Sequence, residues 1–499
     1  MKNRTSGILC PVFSLPGDFG IGQLGKSART FIDYLHESGF SHWQILPLNP
    51  VDFVNSPYSS SSAFAGYLGF IDFEELLDWN ILHNDEFALL KKHTKLKRVD
   101  YKEVEKNQLQ LLKIAFKNFL SRADKSLLKS YQTFIKSQSH WLPAFALFSS
   151  LKKSFKDKSW NQWPKEFRDY KNISAEIWKK FKVEIDFEQF VQFIFYKQWM
   201  AIKDYANKKS ISIIGDMPIY VNFDSSDVWS HPELFKLNRN FSPREVAGVP
   251  PDFFSEDGQL WGFPIYNWSV HKKSQFQWWK ERTSHMLQLF DQVRFDHFRA
   301  VEAYWSVPAK DETAKNGKWV KAPGADLLDV LCTIKKDGLL AENLGDISDE
   351  VEKLRLDHHI PGMKIFQFAF GGHIHSEHLP HNCEAYDIYY SGTHDNDVLK
   401  SWFDHLPEAQ ISHLSAYYGV PKKQLSVRWL VDRILSSAVK TVMIPIQDFL
   451  ESGAESRINV PGTASDLNWT WRFQLKDMEK INSRDMAYRL DFFGRKRID

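Results

Sequence analysis

The sequence is poor in everything that would advertise a secreted, membrane-bound or nucleotide-dependent protein. Its 499 residues hold only three cysteines, Cys10, Cys332 and Cys383. They are odd in number, far apart and form no CxxC pair, so neither a disulfide framework nor a structural zinc site is indicated and a reducing compartment fits best. No apolar run approaches the roughly 18 residues of a membrane span. Lys2 and Arg4 precede a short apolar stretch, but Gly7, Pro11 and Pro16 interrupt it, and Leu9 before Cys10 is not the small residue of a cleavage site. No signal peptide is read, and the expected location is cytoplasmic. No GxGxxG follows the first strand and no GxxxxGK[ST] occurs, so no loop is shaped for a nucleotide phosphate. Charge of one sign is also missing: 64 Lys and Arg face 62 Asp and Glu, a net +2, which argues against a nucleic-acid partner.

What the chain has in quantity is aromatic surface, with 39 Phe, 18 Trp and 17 Tyr. Flat apolar faces edged by polar groups suit sugar rings, although an aromatic-rich core explains the same count. At about 150 residues per domain the length allows three domains, but barrels run well past 250 as one unit. In the first 75 residues, 29–38 reads as a helix, Gly39 as its stop and 43–48 as a buried strand. From about 80 to 200 the period becomes helical, as with Leu109, Leu112, Phe116 and Phe119. Residues 101–200 carry about +9 and the remainder about −7. The Lys residues are spread among many apolar positions, the pattern of a solvated helical face rather than of an anionic docking site.

From residue 211 onward short β-rich runs alternate with helices: ISIIGDMPIYV, QVRFDHF, DGLLAENLG, KIFQFAF and AYDIYYSGTHD. Each ends in polar residues. That repetition predicts a (β/α)8 barrel, with the site built from loops at the carboxyl ends of the strands; a doubly wound open sheet is the alternative. The expected organisation is a barrel from 1–75 and 200–499, with 76–199 a mainly helical insertion subdomain.

Three strand ends carry carboxylates. Arg294 and Asp296 are two apart in VRFDHF and leave one strand face together, where the guanidinium should keep the carboxylate ionised and its pKa low, as a nucleophile needs. A structural salt bridge would look the same. Glu342 ends the apolar run GLLA, where a dry pocket should raise its pKa and leave it a proton to donate; AENLGD could equally begin a helix with an acid in its first turn. His394 and Asp395 end YYSGTHD, which also reads as an ordinary turn. Together these groups make the constellation that acid and nucleophile chemistry on a glycosidic bond requires.

At this point the chain resembles the amylomaltase or disproportionating-enzyme family, the 4-α-glucanotransferases of the α-amylase clan, nearly end to end. The matching segments, in order, are SPYSSSSAFAG (56–66), GDMPIYV (215–221), AGVPPDFFSEDGQLWG (247–262), RFDHFR (294–299), AENLG, GTHDND and NVPGTASDLNWTWR (459–472). The resemblance implies a retaining transferase of α-1,4-glucan segments, with maltooligosaccharides as partners and no cofactor. It makes Asp296 the nucleophile, Glu342 the acid and base, and Asp395 a transition-state stabiliser. It also implies that Tyr58, Asp216, Arg294 and His394 hold the reacting sugar, that Gln259 and Trp261 lie on a loop covering the acceptor side, and that Asn468 contacts substrate. Tyr67, Asn343, Ala300, Val398 and Ile458 depart from the family's usual Asn, Asp, Gly, Thr and Met, which bears on substrate preference rather than reaction type.

Two other classes share some of these features. The same His, Asp and Glu residues could hold a metal on a hydrolase or isomerase barrel, but no HxH or HExxH pair lies at a strand end, and the histidines of GHIH (372–375), His373 and His375, fall outside that set. A glucan-binding protein without catalysis should have lost a carboxylate, and none is missing. The oligomeric state is not readable.

Overall fold

In the computed structural model the described residues are 4–497 apart from 53, 91–95, 252–254 and 372–374; His373 of the GHIH run is among those left out. Twelve strands occur among the described residues: β1 Thr5–Leu9, β2 His42–Gln44, β3 Ser212–Pro218, β4 Glu245–Val249, β5 Gln259–Pro264, β6 Gln292–Asp296, β7 Ala303–Pro308, β8 Lys318–Lys321, β9 Leu339–Ala341, β10 Met363–Ile365, β11 Ile388–Tyr390 and β12 Thr441–Pro445. Eight form one sheet in the order β10-β11-β12-β1-β2-β3-β6-β9. All of its pairings are parallel. The two ends of that order meet: the Ala341 N–H donates to the Pro361 carbonyl at 2.8 Å and the Met363 N–H to Asn343 Oδ1 at 2.7 Å. The sheet therefore closes almost completely into the expected (β/α)8 barrel.

The alternation of inward and outward side chains fills the barrel. Leu9, Ile214, Leu340, Met363, Ile365, Ile388, Tyr390 and Met443 form a separate buried cluster contributed by six of the eight strands. Outward faces meet helices. Lys26–Glu37 buries Ala28, Phe31, Ile32, Tyr34 and Leu35, of which Ala28, Phe31, Ile32 and Leu35 stand at spacings of one, three and four, the stripe of an amphipathic helix, and it ends at Gly39, whose φ of +78° is cheap only without a Cβ. Behind β3 the ring of Phe290 lies so close that a Cβ on Gly215 would meet it at 2.2 Å, so this glycine admits the packing.

Between β2 and β3 lie the long helices Tyr101–Arg122, Lys125–Ser137, Leu142–Ser154 and Lys182–Lys208. The first two begin at Asp100 and Asp124, whose side chains accept from the N–H of Glu103 and Leu127, the expected N-cap chemistry. Of the apolar stripe read from the sequence, Leu112, Phe116 and Phe119 are buried, while Lys102, Lys106, Lys113 and Lys117 face solvent.

Two expectations fail locally. KIFQFAF reads as one strand, but β10 stops at Ile365 and Phe366–Ala369 turns helical. Gln259 and Trp261 are expected on a loop, yet both lie on β5, which pairs antiparallel with β4 within a second sheet, ordered β5-β4-β7-β8. Among the described residues no helix is long and apolar enough to cross a membrane. The three cysteines are unpaired.

Candidate active site

The site is built around one guanidinium. β3 and β6 pair in parallel with Asp216 opposite Arg294 and Pro218 opposite Asp296, so the alternation along β6 places Arg294 and Asp296 on the face that Asp216 shares. Arg294 Nη1 donates to Asp216 Oδ1 and Oδ2 at 2.8 and 2.7 Å and to Asp296 Oδ1 at 2.9 Å. Its Nη2 lies 3.8 Å from Glu342 Oε2. Arg294 and Asp216 are only 3% and 0% exposed at their side chains, whereas Asp296 keeps 23%. A cation that is part of the chain thus fills the centre of three carboxylates. Among the described residues no group of three or more His, Cys, Asp or Glu is arranged to hold a metal ion.

Glu342 follows β9 directly and is seven residues short of the next helix, Asp349–Asp357, so the first-turn reading of AENLGD is not what the chain adopts. Its Oε2 accepts the N–H of His297 at 2.5 Å. Burial pushes its carboxyl up to about 8, with Asp296 adding to the rise and Arg294 opposing it. Asp296 corrects the sequence reading, because its pKa is raised, to about 7, rather than lowered. Burial is the largest cause, and Asp216 and Asp395 add to it against Arg294. Arg294 does not offset the burial, because one guanidinium serves three acids and Asp216 takes two of its hydrogen bonds. The two carboxyls interact and lose their protons as a pair, with Glu342 the higher of the two.

A second wall comes from the loops after β2, β11 and β12. The Tyr58 hydroxyl donates to Asp216 Oδ2 at 2.8 Å, and its ring stacks on His394 with centroids 5.2 Å apart. Trp469 leans on both rings, at 5.5 and 5.7 Å. His394 Nε2 stands 3.3 Å from Asp395 Oδ2, and burial holds its pKa below the usual imidazole range although Asp395 opposes this. Asn459 Nδ2 donates to Asp395 Oδ1 at 2.7 Å and Arg457 Nη2 to the Asp395 carbonyl at 2.8 Å. Asn468 stands apart: its amide is spent on its own loop, accepting from the Val460 N–H and donating to the carbonyl and hydroxyl of Thr463.

Gln259 and Trp261 lie on β5, where the indole N–H donates to Gln259 Oε1 at 3.2 Å. The Trp261 ring reaches the barrel through His297, edge to face at 4.8 Å. Sequence reasoning brought together Tyr58, Asp216, Arg294, Asp296, Glu342, His394 and Asp395, but it passed over His297, Arg457, Asn459 and Trp469. His297, Asn459 and Trp469 sit inside segments already singled out, RFDHFR and NVPGTASDLNWTWR, as unremarked neighbours of the residues chosen there.

A parallel barrel whose strand-end carboxylates surround a buried guanidinium defines an enzyme of the class that opens glycosidic bonds with paired carboxyl groups. Comparison makes this particular. The family model described as 4-alpha-glucanotransferase matches residues 10–477, and the chain belongs to that family. The 4-alpha-glucanotransferase of Aquifex aeolicus (strain VF5) is 44% identical over 476 residues, covering 94% of this chain and 96% of that protein. That of Clostridium butyricum is 42% identical over 465 residues, covering 92% and 94%. Among solved structures, an amylomaltase from Streptococcus agalactiae in complex with acarbose superposes with a TM-score of 0.93 at 36% identity, over 99% of this chain and 100% of that one. An amylomaltase from Corynebacterium glutamicum, at 15% identity and TM-score 0.80 over 99% of this chain and 75% of that one, shares the fold.

Proposed function

We propose that this protein is a retaining 4-α-glucanotransferase that moves segments of α-1,4-glucan from a donor to the 4-hydroxyl of an acceptor glucan or glucose. The observation that carries the reading is the unequal pair on Arg294: Glu342, the drier carboxyl, is the one poised to keep a proton, and Asp296, more exposed and hydrogen-bonded to the guanidinium, is the one poised to lose it. Asp296 attacks the anomeric carbon as the bond to the leaving oxygen breaks, and Glu342 gives that oxygen its proton. In the second half Glu342 takes the proton of the acceptor 4-hydroxyl, whose oxygen displaces Asp296 and restores the α-configuration. Asp395, held by Asn459 and Arg457, faces the positive charge that develops on the sugar ring. Tyr58, Asp216, Arg294 and His394 hold that sugar. Asn468 supports substrate binding by fixing the 460–468 loop. Two protein carboxyls supply acid and nucleophile, so the reaction asks for no cofactor. Residues 76–199 are assigned to a helical subdomain set into the barrel between β2 and β3.

Maltotriose tests the reading: disproportionation yields glucose with a ladder of longer maltooligosaccharides, while glucose and maltose alone mean hydrolysis. The pH profile is the second check. Asp296 must be ionised and Glu342 protonated, so kcat/KM should rise as pH climbs through the first group and fall through the second. A narrow bell with limbs near the values of about 7 and about 8 is expected; a plateau from about pH 5 to 9 contradicts the assignment.

On the acceptor side, β5 presents Trp261 half-buried, a flat face for a sugar. Trp261→Ala should weaken acceptor binding about tenfold and raise the hydrolysed fraction, because water then competes better for the glycosyl-enzyme. Product ratios at saturating maltotriose are the measurement, and a lower melting temperature with an unchanged ratio would reduce Trp261 to a packing residue.

A further inference from the structure

His297 carries three features that no role given to its neighbours explains. Its backbone is left-handed, with φ of +51°, a conformation costly for a residue with a Cβ. Its N–H meets the Glu342 carboxylate at 2.5 Å, while the next N–H, that of Phe298, bonds the Glu342 carbonyl at 3.1 Å and the Glu342 N–H returns to Phe295 at 3.1 Å. Glu342 is therefore laced to the turn after β6 at both ends. The imidazole points the other way, edge-on to Trp261 at 4.8 Å, and its Nε2 is buried without a hydrogen-bond partner. A buried polar atom left alone costs free energy, and strain of this kind persists where it serves a site.

We propose that His297 is a positioning residue that couples the acceptor side to Glu342: its backbone N–H sets where the carboxyl stands, and its ring is the contact through which Trp261 reaches that backbone. This rests on Glu342 being the acid and base. The N–H stabilises the carboxylate form, which is the form the second half-reaction needs when an acceptor arrives. An acceptor that settles on Trp261 thus holds the base in place, through the His297 ring, at the step that consumes it. Burial keeps the imidazole neutral, its pKa pushed down to about 4, with the nearby Arg299 and Arg294 adding to the fall, so the ring links Trp261 to the turn without bringing a charge into the site.

Two substitutions separate ring from backbone. Glycine takes a positive φ without strain, so His297→Gly keeps the N–H on Glu342 and loses only the ring. A β-branched valine resists the left-handed region, so His297→Val pulls the N–H away. With maltotriose as donor and glucose as acceptor, His297→Gly is expected to keep the basic limb of the pH profile, raise the acceptor KM about five- to tenfold and raise the hydrolysed fraction. His297→Val, checked for folding by its melting curve, is expected to move the basic limb to higher pH and lower kcat on every donor. In a double variant with Trp261→Ala, the loss from His297→Gly shrinks, because the two side chains act through one contact. An acceptor KM and hydrolysed fraction for His297→Gly equal to wild type overturn the proposal, as does full additivity with Trp261→Ala. If His297→Val does not fold, the glycine variant and the double variant decide alone. Should Glu342→Gln retain wild-type transfer, the assignment of the acid itself fails; an inactive Glu342→Gln beside an unchanged His297→Gly removes only the coupling.

Discussion

Asp296→Asn should lower turnover on maltotriose by about four orders of magnitude or more, the scale of losing a catalytic nucleophile, with glucan binding kept. The fold gives this variant an unusually clean background. Arg294 still donates twice to Asp216 and stays within 3.8 Å of Glu342, so the guanidinium is not stranded when one acid becomes an amide. The Asn side-chain oxygen can still accept the bond that Asp296 Oδ1 now receives at 2.9 Å. What disappears is the charge and the nucleophilic oxygen. The melting temperature should stay level or rise, because a carboxylate whose pKa is pushed up by burial is a cost in its ionised form. Rate and melting curve on one preparation check both halves, and more than a few per cent of wild-type turnover contradicts the nucleophile assignment.

Glu342→Gln should collapse turnover on natural glucans by about three orders of magnitude, yet recover in its first half-reaction on an α-maltosyl fluoride, whose leaving group needs no proton. The second half still lacks its base, so the glycosyl-enzyme should accumulate and be released by azide, an anionic nucleophile with no proton to remove. No advantage of the fluoride over maltotriose would contradict the acid role. A stability effect follows from the same group. The folded-state pKa is raised to about 8 from an ordinary value of about 4.3, so the folded protein binds a proton that the unfolded chain has lost across that interval. Stability therefore falls as pH rises through it, and the deficit is complete above about 8. Glutamine carries no such deficit, so the variant should gain in melting temperature over wild type between about pH 5 and 8, and least at the acid end.

Much of this was legible in the residues because the barrel writes its site in two-residue alternation. VRFD shows Arg294 and Asp296 on one face of β6, and GLLAE shows an acid leaving a dry strand, with no need of tertiary information. Gly39 as a helix stop and the 3.6 period of Leu112, Phe116 and Phe119 were legible for the same local reason. The second sheet was not. Its strands β4, β5, β7 and β8 are separated in the chain by β6, and pairing between distant segments leaves little local trace; Gly and Pro in 247–262 pointed to turns instead. β9 and β10 have three residues each, too few for any period to show where they end.

The Asp296 shift runs opposite to the sequence expectation because the sequence shows Arg294 beside it and cannot show the burial of the carboxyl or Asp216 claiming the same guanidinium from another strand. His297 was hidden differently. Its role lies in a backbone angle and an N–H, which a side-chain reading of RFDHFR does not contain. Asn343, where the family more often has an acid, turns out to close the barrel: it accepts from Met363 at 2.7 Å and donates to Glu352 at 2.6 Å. That departure sits at the seam between β9 and β10.

The covalent step itself can be observed with the Glu342→Gln variant. The variant is mixed with α-maltosyl fluoride, quenched in acid, digested and mapped by mass spectrometry. One maltosyl unit on the peptide containing Asp296, absent when Asp296→Asn is added to the variant, is the expected result. A maltosyl unit on any other residue, or fluoride release with no labelled peptide at all, would contradict it.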